Sequence, residues 1–370
     1  MLPFIDLKTQ YKRIESDVDA AIKRVLEHGR YILGPEVGEL ECQLAGFAGT
    51  KYCIGCSSGT DALLMPLMAY GVGPGDAVFT TPFTFFATAE TIALTGATTV
   101  FVDIDPDTYN IDPVKLEAVI KETIVDGKLI PKGIIPVDLF GLSADYDKIM
   151  PIAKEYGLFV LQDSCHGLGA EYNGKVAPSM GDVGATSFFP AKPLGAYGDG
   201  GAVFTDDPEL HDVMRSILVH GQSSDKYNNV RLGLNARLDT IQAAILLEKL
   251  KLFPEEIELR QKVAATYAEM LDGVVKTPYI PEGCKSVWAQ YCVQSDRRAE
   301  IQAALQANEI PSACYYPIPL HMQTAFEKLG YVKGDMPASE SVADKIFALP
   351  MHPYLDTESI KKIASVIASV

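Results

Sequence analysis

Residues 187–201 read SFFPAKPLGAYGDGG, and one lysine, Lys192, stands in them between Pro190 and Pro193 with Gly195, Gly198, Gly200 and Gly201 behind it. Phe188, Phe189 and Leu194 make its surroundings apolar. Taking an ammonium out of water lowers its pKa, and the neutral amine is a nucleophile toward carbonyls. The glycines permit close backbone approach and dihedrals closed to other residues. The same flanks also suit a lysine that lies along an apolar surface and extends its ammonium to water. What the fold brings beside Lys192 decides between the two.

Outward from this stretch, short apolar runs alternate with helical patterns. Strand-like runs fall at 53–55, 77–80, 99–103, 133–137, 158–162, 185–188 and 201–204, with helix-like segments at 61–69, 86–94, 113–122 and 145–156. This alternation predicts an α/β fold with a mainly parallel central sheet and helices on both faces. Ligands of such sheets bind at the carboxyl ends of the strands. An amphipathic helix opens the chain, with Ile14, Val18, Ile22 and Val25 at helical spacing and Gly29 as its C-cap.

Helices are expected at 238–252 and, after Pro254, up to residue 271. The rest reads as α+β: a strand at 287–293, a helix at 298–306, and a last helix at 357–370 with Ile360, Ile363 and Ile367 on one face and Asp356 as its cap. The expected division is a large domain over 1–252, including the N-terminal helix, and a smaller C-terminal α+β domain over 253–370.

The composition, 48% hydrophobic and 22% charged, is that of a folded globular chain. A net charge of -16 opposes binding to a nucleic-acid backbone or an anionic membrane. A small anionic ligand is compatible with it, because Arg215, His220, Lys226, Arg231 and Arg237 form a basic island whose single acid is Asp225. The start, MLPFIDLKTQ, has no basic leader before an apolar core, and no apolar run approaches the ~18 residues of a membrane helix. The expected location is the cytoplasm. Seven scattered cysteines fit reduced thiols, and Cys53 and Cys56, although spaced C-x-x-C, have no second pair with which to hold a metal.

Two further stretches bear on Lys192. In LFVLQDSCHGLGA, residues 158–170, Asp163 directly follows an apolar strand and so points into the crevice where ligands bind. Its plainer reading is a turn or capping aspartate. In CSSGTDALLMPLMAYG, residues 56–71, the small residues Ser57, Ser58, Gly59 and Thr60 precede a helix, where free backbone amides gather around an anion. A capping turn is the alternative. No Walker loop is present, and GVGPGD at 71–76 is a tight turn rather than G-x-G-x-x-G. A phosphate cradle, a carboxylate to keep a ring nitrogen protonated and a carbonyl-reactive lysine are together what a pyridoxal phosphate (PLP) site requires.

These residues, with PFTFFATAE, FVDIDPDTYNIDP, GLNARLDTIQAAIL, YYPIPLH and LPMHPYL in order along the chain, resemble the DegT/DnrJ/EryC1/StrS family of nucleotide-sugar aminotransferases nearly end to end. The resemblance implies the aspartate aminotransferase fold (type I PLP), with PLP alternating with its pyridoxamine form. It makes Lys192 the lysine bonded to the cofactor aldehyde and Asp163 the partner of the ring nitrogen. Gly59, Thr60 and the amide of Asp61 would hold the phosphate together with Ser187, and Phe85 would stack on the ring. His166 stands where the family often has glutamine near the ring hydroxyl.

Asn235 matches the residue that reaches the phosphate from a neighbouring subunit, which implies a homodimer with shared sites. Gly29, Tyr31, Arg237, Tyr315 and Tyr316 would line the sugar-nucleotide side, Arg237 gripping a carboxylate or phosphate or, more plainly, pairing with Asp239. Glutamate is the implied donor. The variant KPLGAYGDGG with HGQ is similar to members that aminate C3 of a UDP-linked 2-acetamido-3-keto-glucuronic acid for O-antigen synthesis. Tyr315, where related enzymes tend to have histidine, and Ala191, in place of a common serine, depart from that pattern. A dTDP- or GDP-linked ketosugar is the alternative acceptor, and a PLP-binding regulator without turnover is the alternative role.

Overall fold

The computed structural model describes residues 2–225 and 227–370. Lys226 of the basic island lies outside the described residues. In chain order the elements are α1 (Leu7–His28), α2 (Pro35–Ala48), β1 (Tyr52–Cys56), α3 (Gly59–Ala69), β2 (Asp76–Thr80), α4 (Phe86–Leu94), β3 (Thr98–Phe101), α5 (Pro113–Asp126), β4 (Ile130–Ile135), α6 (Tyr146–Tyr156) and β5 (Phe159–Asp163). Then come β6 (Glu171–Tyr172), β7 (Lys175–Val176), β8 (Val183–Ser187), β9 (Gly201–Thr205), α7 (Pro208–Leu218), α8 (Thr240–Leu271), β10 (Cys284–Lys285), β11 (Tyr291–Gln294), α9 (Arg298–Ala307), α10 (Pro337–Lys345), β12 (Ile346–Leu349) and α11 (Thr357–Ala368).

Seven strands form the main sheet in the order β1-β9-β8-β5-β4-β2-β3. The pairs from β8 through β5, β4 and β2 to β3 are parallel, and β9 runs antiparallel to both of its neighbours. The sheet is therefore mixed, with a parallel majority. Its strands are apolar on both faces because each face meets helices. Phe79, Ile134, Val160 and Phe204 pack into one core with α2 and α8. Their neighbours Val78, Ile135, Leu161 and Val203 point the other way, into a core with α3 and α7.

A smaller α+β unit follows, in which β11 pairs with β12 and packs with α9, α11 and the end of α8. The strand expected at 287–293 is shorter, because Trp288 has a positive φ of 51° that breaks extended backbone. The two helices expected on either side of Pro254 are one continuous helix of 32 residues. Leu250, Phe253 and Ile257 are buried in the large core, while Val263, Tyr267 and Leu271 are buried in the small one, so packing on both sides of the proline holds the helix together. The boundary at 252 falls inside it.

Three helices exceed the expectation. α2, α7 and α10 each begin with a proline at the first turn, after Gly34, after Met336 in α10, and in α7 after Asp207, whose carboxylate caps the amides of Glu209 and Leu210. Asp356 caps α11 through the Ser359 amide at 2.7 Å, and Gly29 closes α1 in the left-handed region. Among the described residues no helix is long and apolar enough to cross a membrane.

Candidate active site

Because β5 and β8 are parallel neighbours, their last residues, Asp163 and Ser187, arrive at the same edge of the sheet. The turn from β1 into α3 reaches that edge as well. There a cavity of about 690 Å³ opens, and Gly59, Thr60, Asp163, Ser187 and Lys192 line it. Phe85, His166, Tyr315 and Tyr316 line it too, with Phe4, Phe189 and Gln290.

The cradle is tight. A Cβ on Gly59 would stand 2.7 Å from Ser187 Cβ and 3.1 Å from Cys165 Sγ, so only glycine lets the helix start come this close. Ser58 caps α3 by accepting from the Asp61 amide at 3.0 Å. That amide is engaged within the chain, and the amides of Gly59 and Thr60 have no acceptor among the described residues. They supply, with Ser187, donors for an anion at the positive end of a helix.

Asp163 is buried and oriented on both oxygens. Oδ2 accepts from Thr88 Oγ at 2.8 Å and Oδ1 from the Cys165 amide at 3.1 Å. Thr88, which projects from α4 onto this carboxylate, has no counterpart among the residues singled out from the sequence. A hydroxyl in the apolar stretch FFATAETIAL is the one signal that points to it. Behind Asp163, the buried Asp138 accepts from Gln162 Nε2 at 2.7 Å, from Tyr146 Oη at 2.9 Å and from Ser164 Oγ, bracing both chain neighbours of Asp163. Burial pushes the Asp138 pKa up to about 6 against the pull of those donors.

Lys192 is only partly accessible, through the cavity, and the loss of surrounding water lowers its pKa while Cys165 and Asp163 pull the other way. The neutral amine required of a carbonyl-reactive lysine is thereby brought within reach. His166 is buried, and its pKa is held well below the usual histidine range by that burial, with Lys192 adding to the effect. Its Nδ1 accepts from the Phe140 amide at 3.3 Å, so the neutral ring carries its proton on Nε2 and presents a donor.

The other expected residues gather elsewhere. Gly29 caps α1, the Tyr31 carbonyl accepts from the Thr240 amide at 2.9 Å, and Ile32 bridges to Asp239. Asn235 and Arg237 touch each other, the guanidinium donating to Asn235 Oδ1. Arg237 makes no ion pair with Asp239 among the described residues, and its Nε is buried without a partner. A bridge from Cys56 to Arg237 places this second group beside the end of β1, just before the cradle. The basic island is thinner than its composition implied, because Arg215 is clamped on the two oxygens of the buried Glu41.

All seven cysteines are free thiols, and burial raises the pKa of Cys53, Cys56 and Cys165. Among the described residues no group of three or more His, Cys, Asp or Glu could hold a metal ion.

Residues 12–368 match the DegT/DnrJ/EryC1/StrS aminotransferase family, and the chain belongs to it. It is 53% identical over 370 residues to the UDP-2-acetamido-2-deoxy-3-oxo-D-glucuronate aminotransferase of Pseudomonas aeruginosa, covering all of both chains. A crystal structure of a DegT DnrJ EryC1 StrS aminotransferase from Brucella abortus is 52% identical and superposes with a TM-score of 0.98, over 100% of this chain and 99% of that one. NtdA of Bacillus subtilis, solved with bound cofactor PMP, is 28% identical, with a TM-score of 0.88 over 99% of this chain and 83% of that one. The fold is that of the type I PLP aminotransferases, a large mixed sheet with a smaller C-terminal α+β domain.

Proposed function

We propose that the protein is a PLP-dependent aminotransferase that moves an amino group from glutamate to C3 of a UDP-linked 2-acetamido-3-keto-uronic acid, for a surface polysaccharide of the O-antigen type, in the cytoplasm. The observation that carries the reaction type is the convergence of Lys192, Asp163 and the free amides of Gly59 and Thr60 on one cavity. The acceptor rests on full-length identity of 53% to the Pseudomonas aeruginosa enzyme.

Bound here, PLP supplies an electron sink for charge developing at the donor carbon. The chain's own residues do the rest. Gly59, Thr60 and Ser187 bind the phosphate, and Phe85, 58% exposed at the cavity mouth, covers a ring face. Asp163 holds a proton at the ring nitrogen, with Thr88 fixing its orientation. His166 donates from Nε2 toward the ring hydroxyl. Lys192 Nζ, a neutral amine in this desolvated place, would bond to the cofactor aldehyde and, when free, could take and return a proton at the donor carbon.

Asn235, Arg237, Gly29 and Tyr31 belong in this reading to the sugar-nucleotide and phosphate side of a neighbouring copy's site, in a homodimer with shared sites. The exposure of Tyr31 and Asn235 supports it. A dTDP- or GDP-linked ketosugar is the second reading, favoured by Tyr315 where histidine is usual.

The protein loaded with PLP is expected to show a visible absorbance band that glutamate converts to that of the pyridoxamine form. A spectrum that glutamate leaves unchanged, with cofactor bound, overturns the aminotransferase reading. Rates across UDP-, dTDP- and GDP-linked ketosugars decide the acceptor, and a preference for a neutral dTDP-sugar overturns the uronic acid.

A further inference from the structure

Lys192 rides on a loop that leaves the sheet after β8 and returns as β9. The base of the loop is closed by the chain itself. The Phe188 amide donates to Gly200 O at 2.8 Å, and the Ala196 amide donates to Phe188 O at 2.7 Å. The return limb, residues 195–198, lies outside the sheet; beyond the Ala196 bond and the packing of Tyr197 on Tyr11 of α1, its polar anchors come from α8.

Two residues of that helix reach across. Gln242 Oε1 accepts from the Tyr197 amide at 2.9 Å. About two turns further along the same face, Lys249 is 1% exposed, donates from Nζ to Gly195 O, and lies 5.0 Å from the centre of the Tyr197 ring. Gly195 is itself wedged, since a Cβ there would stand 2.4 Å from Pro190 O. Among the described residues no carboxylate makes an ion pair with Lys249. Glu256 acts on it only through its field, and Glu256 accepts from Gln10 and Tyr354. Burial draws the Lys249 pKa down to about 8.

A buried ammonium without a paired carboxylate is a poor device for stability, because among the described residues its desolvation is offset by one carbonyl, a ring face and the more distant field of Glu256. An apolar side chain of similar length would pack there at least as well. What the ammonium does that such a side chain cannot do is tie the Lys192 loop to the core of the large domain.

We propose that Lys249 is a positioning residue for Lys192, its buried ammonium locking the return limb of the loop so that the Lys192 amine is held in bonding geometry for the cofactor aldehyde. The inference rests on the reading of Lys192 as the lysine that bonds to PLP. It concerns how fast and how completely that bond forms, and it is separable from the choice of sugar.

The test uses the full-length protein stripped of cofactor and then given pyridoxal phosphate. Three quantities are read: the rate at which the visible band appears, the fraction of Lys192 trapped by borohydride reduction and located by peptide mass, and the thermal midpoint before cofactor addition. Lys249→Met is expected to form the Lys192 adduct about 10- to 100-fold more slowly. Lys249→Arg, which keeps a charged donor, is expected to recover most of the rate. Phe253→Leu, in the same helix but away from the loop, serves as the control, lowering the midpoint without slowing the adduct.

Lys249→Met forming the adduct at the unaltered rate would overturn the proposal. So would an equal slowing in Phe253→Leu at a matched midpoint. If Lys249→Met does not fold, Lys249→Gln carries the same test, and its shorter neutral donor is expected to give an intermediate rate; an unaltered rate overturns the proposal. Absence of any adduct at Lys192 in the unaltered protein would overturn the reading of Lys192 and this inference with it.

Discussion

Asp163 and Asn235 both stand near the carboxyl edge of the sheet, yet they are held in opposite ways. Asp163 is buried, with Thr88 and the Cys165 amide on its two oxygens and Asp138 bracing the residues on either side. Asn235 is exposed, its side-chain partner is Arg237, and the same segment carries the exposed Val230, Arg231 and Leu232. A side chain fixed on every side by its own chain has its task there. A polar pair left open beside exposed apolar residues is the kind of surface that the proposed homodimer would cover. In the proposed reading the ring end of the site is set within one chain, while its phosphate and sugar-nucleotide side takes Asn235 and Arg237 from a neighbouring copy.

The sharpest test of the enclosed end is Lys192→Ala, which is expected to lower kcat on the order of 10⁴-fold and to abolish the visible band of the loaded protein. A band that persists would place the reactive amine elsewhere. Next in size, Asp163→Asn is expected to cost about 10²- to 10³-fold in kcat with the cofactor still bound. Thr88→Val, which removes one of the two bonds to that carboxylate, is expected to fall between it and the unaltered enzyme, and steady-state kinetics with glutamate measures all three.

The brace behind Asp163 has its own signature in pH. Asp138 titrates near 6 in the fold and, unfolded, near its ordinary 3.8, so between these values the native state holds a proton that the unfolded chain has lost. Stability from this group is present below pH 3.8 and is lost as pH rises through 6, by up to about 3 kcal/mol. His352, whose pKa burial lowers from 6.5 to about 4, acts with the opposite sign over a similar window. The measurement is therefore a difference, the pH slope of urea unfolding for the unaltered protein against Asp138→Asn. Equal slopes would show that Asp138 is not the group responsible.

The smallest expected effect belongs to the open end. Arg237→Ala is expected to raise KM for the sugar nucleotide about tenfold with kcat little changed. With the sugar nucleotide well below its KM, mixing it with Lys192→Ala is expected to give activity above that of either protein alone, because a mixed dimer of the proposed shared-site form contains one intact site. No recovery on mixing would break the comparison, leaving Arg237 to act within its own chain.

What was legible in the sequence follows the range of the interactions. Lys192 and Asp163 announce themselves locally, by apolar flanks and by a position at a strand end, and the cradle by a run of small residues before a helix. The strand and helix pattern was equally local, and it went astray at Trp288, whose positive φ breaks a strand, and at Pro254, where packing decided. Pro254 signals a break, but α8 continues because both of its halves are buried in cores that lie far apart in sequence. Thr88 and Lys249 were not legible, because each acts on a residue 75 or 54 positions away that only the fold makes its neighbour.

The sequence by itself pointed to an α/β fold through its periodicity and to the aminotransferase family through its ordered motifs, and it singled out Lys192 and Asp163 as the proposed centre of the chemistry, since these are properties of short stretches. The tertiary structure alone decided which tautomer His166 adopts, that Arg215 is spent on Glu41, that of the expected sugar-side residues Tyr315 and Tyr316 line the Lys192 cavity while Arg237 pairs with Asn235 away from it, and that a buried ammonium on α8 grips the Lys192 loop. These depend on hydrogen bonds and burial between distant segments, and no local pattern encodes them.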